Sequence, residues 1–168
     1  MSSHVRVRVL LVMLAALIGA SAALAAGRAT VTVTAAHNNK LNASILVNQG
    51  GITLYHLTAE KGNKIACTGA CASIWPPLLV PRGAKPQAGK GITRSKLGTV
   101  KRPDGRIQVT YAGLALYRYS GDQKAGDTKG EGFQHVWYAI SPSGQLVKSS
   151  SSSGGGYGGG GGYGGGGG

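Results

Sequence analysis

The sequence predicts an all-β protein in which two tandem, related β-hairpin repeats form one small sandwich or barrel-like domain, followed by a disordered Gly-rich tail. Three observations predict it. Beyond the N-terminal apolar run, apolar residues alternate in short stretches as half-buried strands require, and no segment holds a 3.6-residue period. Turn chemistry punctuates those stretches at Asn48-Gln-Gly-Gly51, Pro103-Asp-Gly105 and Tyr111-Ala-Gly113. The chain also repeats itself at a shift of 62 residues. Ile45, Val47, Gly51, Leu54, Tyr55 and Trp75 recur without a gap as Ile107, Val109, Gly113, Leu116, Tyr117 and Trp137, and Glu60 recurs as Asp122. The chain holds only 2 Trp, so a matched Trp pair anchors the frame.

Residues 1–26 read as a secretory signal: Arg6 and Arg8, an apolar run from Val9 to Ile18, then Ala20-Ser-Ala22 and Ala23-Leu-Ala25 as small-residue cleavage sites. The expected product is secreted or periplasmic, with no transmembrane segment after cleavage. The first cysteine is Cys67, so no lipid anchor on an N-terminal cysteine is expected. The domain then runs over 27–148. Thr30 to Thr34 adds an edge strand. The first repeat covers about 43–80 and the second about 105–141, joined by a Pro/Gly/Lys-rich connector from Pro81 to Gly91 and by a hairpin from Gly98 to Tyr111. The segment 149–168 contains only Ser, Gly and two Tyr, too little apolar surface to offset the entropy of ordering.

In an oxidising compartment Cys67 and Cys71 favour a disulfide, and Cys67-Thr-Gly-Ala-Cys71 can bring the two Cβ atoms together as a turn or one helical turn. There is no C-x-x-C spacing, so a structural staple is preferred to a redox-active pair.

Several motifs together resemble a bacterial secreted repeat family, a predicted lipoprotein with a Y-x-(F/W/Y)-x-x-D motif. They are Gly51-Ile-Thr-Leu-Tyr55, the two cysteines and Trp75-Pro-Pro77, then Leu116-Tyr117-Arg-Tyr119-Ser-Gly-Asp122, Gly126-Asp-Thr-Lys-Gly130 and Val136-Trp137. The resemblance covers roughly residues 43–141. It implies an envelope or extracellular location and no established activity. The first repeat departs from the motif, with Leu57 and Glu60 where an aromatic and Asp are asked for.

The repeat-motif residues Tyr55, Glu60, Trp75, Tyr117, Tyr119, Asp122 and Trp137 admit two uses. The aromatics can form a stacking platform or a core, and their recurrence on strand faces favours the core. Glu60 and Asp122 can form an acid/base pair, but each follows a small residue at a turn, where a carboxylate accepts backbone N–H bonds. No catalytic residue is assigned, and no enzyme is expected. A calcium loop at Asp122, Asp127, Thr128 and Glu131 is set aside because Lys124 and Lys129 lie among the acids. His37, His56 and His135 lack metal-ligand spacing, so neither metal nor cofactor is expected.

Charge is the remaining signal. The chain carries 18 Lys+Arg against 5 Asp+Glu, a formal +13 that falls to about +11 when Arg6 and Arg8 leave with the signal. Lys96, Lys101, Arg102 and Arg106 are the expected anion-binding residues, within a basic stretch that begins at Lys85. Their partner would be an anionic envelope polymer or a membrane surface; nucleic acid would be held without sequence reading. The expected function is therefore a secreted, non-catalytic envelope module. A periplasmic redox or metal-handling protein using Cys67, Cys71 and the histidines is the alternative.

Overall fold

The structure, a computed structural model, describes residues 30–148; the proposed signal 1–26 and the tail 149–168 lie outside them. Among the described residues strands dominate, and the longest helix, α1, spans only Ala70–Ile74. The strands are β1 (Thr32–Asn38), β2 (Ala43–Asn48), β3 (Tyr55–Leu57), β4 (Leu79–Val80), β5 (Gln87–Ala88), β6 (Leu97–Lys101), β7 (Ile107–Tyr111), β8 (Leu114–Ala115) and β9 (Trp137–Ala139). They form three small sheets, ordered β2-β1-β5, β3-β9 and β4-β7-β6, with β8 also paired to β7.

Residues 30–34 do not make an edge strand. They open β1, which lies between antiparallel β2 and parallel β5. The supposed connector supplies β5: Gln87 N–H donates to Val31 and Gly89 N–H to Val33. A sequence pattern shows that a strand exists but not which neighbour it finds.

The two later hairpins follow their turn residues. Arg102-Pro-Asp-Gly-Arg106 joins β6 to β7, and Ala112-Gly113 joins β7 to β8 with φ of 51° and 81°, the left-handed pair that a two-residue hairpin turn needs. The gap-free repeat pairing shifts by one on its first arm. Val47 lies opposite Thr53, whereas Thr110 lies opposite Ala115, so Val47 corresponds to Thr110 and not to Val109. The turn after Val47 carries one more residue than the turn after Thr110.

Successive side chains of a strand point to opposite faces, and here both faces are covered. Ile45, Val47, Tyr55 and Tyr117 enter one apolar cluster, together with Trp75 and Trp137. Their neighbours Leu46, Leu54 and Leu116 enter the other, with Val33, Val109 and Ile140. Each cluster draws on both 43–80 and 105–141. No helix among the described residues is long and apolar enough to cross a membrane.

Candidate functional site

Tyr55 and Tyr117 lie side by side at the centre of the molecule and exchange backbone hydrogen bonds, with N···O distances of 2.8 and 2.9 Å. Their phenols then cross over. Tyr55 donates to Asp122 Oδ2 at 2.7 Å, and Tyr117 donates to Glu60 Oε1 at 2.7 Å. Each tyrosine thus reaches the carboxylate that follows the other. Beside them Trp75 and Trp137 stack with centroids 3.9 Å apart and planes 3° from parallel. Tyr55 meets Trp75 edge to face, and Tyr117 meets Trp137 the same way. Gly130 closes this packing, since a Cβ there would stand 2.8 Å from the Trp75 ring.

Burial, and next the carboxylate that accepts each phenol's proton bond, holds both tyrosines far above the ordinary phenol range. They are permanent donors. Glu60 Oε1 also accepts from the N–H groups of Ala66 and Cys67, and Asp122 Oδ1 from that of Lys129. The carboxylates therefore pin turns to strands. Tyr55, Tyr117 and both tryptophans are buried, while Tyr119 and Phe133 border the stack half-buried. The arrangement packs as a core and leaves no open aromatic platform at these four rings.

Cys67 and Cys71 form a disulfide across the first turn of α1, with Cα atoms 5.2 Å apart. His56 is buried in β3 with Nδ1 3.1 Å from the Ala115 carbonyl; His37 and His135 are exposed. No three His, Cys, Asp or Glu side chains gather as a metal site among the described residues. Asp127 caps the N–H groups of Gln123 and Lys124, which hold its carboxyl below the usual range.

The four expected anion-binding residues do not share a face. Arg102 is only 2% exposed. Its guanidinium bonds Gln108, Tyr117 and, at 2.7 Å, the carbonyl of Cys67, because Val100 and Arg102 both turn inward along one side of the chain. It is a core cation and cannot meet a surface ligand. Lys96 donates to the Ser143 carbonyl at 2.7 Å. It sits at the far end of β6 from Lys101, roughly 16 Å away at strand rise.

Lys101 and Arg106 do come together, and Arg82 joins them. These cations rim a surface groove of about 910 Å³ floored by Leu79, Val80 and Ile107. Asp104 also lines it, grips Arg106 at 2.7 Å and has its carboxyl drawn down to about 2 by that guanidinium. Arg82 follows β4 and reaches the groove because Val80 pairs with Ile107. Nothing local in the sequence links Arg82 to Arg106; only the pairing of strands remote in sequence does.

These features define a small all-β protein closed by crossed tyrosine–carboxylate bonds over a tryptophan stack, with Arg102 the one buried cation among the described residues. Residues 98–141 match the family model Lipoprotein_15, described as a secreted repeat of unknown function. That stretch holds Tyr117, Tyr119, Asp122 and Trp137, so the resemblance to a secreted repeat family stands there. A secreted family accords with an extracellular or envelope location. No curated protein and no solved structure matches the chain.

Proposed function

We propose that the chain is a non-catalytic module of the cell envelope that holds an anionic polymer in the groove between Arg82, Lys101 and Arg106. The groove itself carries this reading, since it joins three cations to an apolar floor. The distribution of acids supports it. Of the five, Glu60, Asp122 and Asp127 are buried, Glu131 bonds the N–H of Ala139, and only Asp104 is exposed. Asp104 occupies Arg106 within the groove, and beyond it little negative charge is left outside to compete with a polyanion for Arg82 and Lys101.

The same reading takes 43–80 and 105–141 as two copies of one hairpin unit that fold only together. The exchanged bonds of Tyr55 and Tyr117, the crossed phenols and the stacked tryptophans support it, because each joins positions 62 residues apart or their partners.

The test is binding of the exported chain to isolated wall polymer, anionic vesicles and DNA at low and high salt. Binding should weaken as salt screens the charges, and an Arg82→Ala/Lys101→Ala/Arg106→Ala variant should lose most of it. Arg102 is left intact, since its removal would disturb the core. Absence of binding at low salt would overturn the reading.

A further inference from the structure

The outer edge of β6 has no strand beside it among the described residues. Ala112 N–H donates to the Lys96 carbonyl and Arg102 N–H to that of Arg106, which fixes the alternation of the ladder between them. Gly98 and Val100 therefore exchange bonds with Thr110 and Gln108 of β7. Leu97, Thr99 and Lys101 turn their N–H and C=O groups the other way, where no strand of the described residues pairs with them. An open groove of about 360 Å³ is lined by Leu97, Gly98 and Thr99 of this strand together with Lys85, Pro86 and Arg94.

We infer that this edge docks an extended, carboxylate-bearing peptide as an additional strand. Three outward residues offer it alternating backbone donors and acceptors, the mode by which sheet edges take up peptides. Lys85 and Arg94 line the same groove and choose the charge of the guest. A second copy of the chain fits poorly, because β6 against β6 would bring the two sets of cations together, a device that commonly keeps edges from self-pairing. The inference borrows only the sign of the ligand from the anionic-partner reading and places it at a different groove.

The experiment measures binding of the full exported chain to a fluorescent peptide of alternating Glu and Val, beside a form with every backbone amide N-methylated and therefore of equal charge. The parent peptide should bind and the methylated one should be weaker by at least about tenfold, the loss of one or two hydrogen bonds. Thr99→Pro, which removes one outward N–H from an edge position that tolerates proline, should weaken the parent peptide similarly while keeping its melting temperature and its DNA binding. Equal binding of both peptides would overturn strand addition and leave the anionic groove standing. Loss of DNA binding in the Arg82/Lys101/Arg106 variant has no bearing on the peptide result. A wild-type dimer that Thr99→Pro disperses in sedimentation would make a second copy the occupant and overturn the inference.

Discussion

His56 lies inside β3 with its ring removed from water, and this desolvation lowers its affinity for a proton below the ordinary 6.5; the Ala115 carbonyl opposes the effect less strongly. The unfolded chain binds that proton more readily, so stability is complete above the unfolded value and is lost as pH falls from 6.5 towards the lowered folded value. Urea midpoints should decline between about pH 7 and pH 5, and His56→Gln should flatten that slope. Ala112 presents the opposite opportunity. It holds φ 51° in the hairpin turn before Gly113, where Asn is tolerated better. Ala112→Asn should add about 0.5–1 kcal/mol, read as a higher urea midpoint with an unchanged slope.

Turns are fastened to strands by a few polar contacts, and these set what each element contributes. Tyr117→Phe removes a buried donor from Glu60, and Tyr55→Phe removes one from Asp122. Each should cost about 1–3 kcal/mol in chemical denaturation, since the carboxylate left behind stays buried. A greater stability of Tyr117→Phe than of the wild type would show that the crossed bonds do not hold the turns. The disulfide closes a short loop that leads into α1, and in the chain-entropy account a loop of this size restrains the unfolded state by about 2 kcal/mol. Cys67→Ala/Cys71→Ala and reduction of the wild type should therefore lower stability by similar amounts. Two free thiols in freshly exported protein would argue against the staple.

Across the whole molecule the charges are sorted by radius. Three of five carboxylates are buried as hydrogen-bond acceptors, while Arg102 is the one buried cation among the described residues. Removing its side chain leaves Gln108 and the Cys67 carbonyl without their donor. Arg102→Ala should cost about 3 kcal/mol or more by the penalty for a broken buried polar cluster, and should unfold the protein at lower temperature whatever ligand is present. Substituting Lys101, which is exposed, should leave the melting temperature within about 1 °C and act on the salt dependence of polyanion binding instead.

The sequence by itself pointed to the strand-rich class, the three turns and the disulfide pair, and it favoured a core over an open platform for Tyr55, Trp75, Tyr117 and Trp137. These depend on short-range chemistry: alternation, glycine and proline at turns, cysteine spacing, and the recurrence of large side chains at one shift. Tertiary structure alone decided that β1 lies inside its sheet, that Tyr55 and Tyr117 trade carboxylates, that Arg102 faces the core and that Arg82 stands beside Arg106. Each of these depends on which strand pairs with which, and in what register. A charge in a basic stretch looks outward until the ladder assigns its face, because alternate positions of one strand differ in nothing local except that assignment.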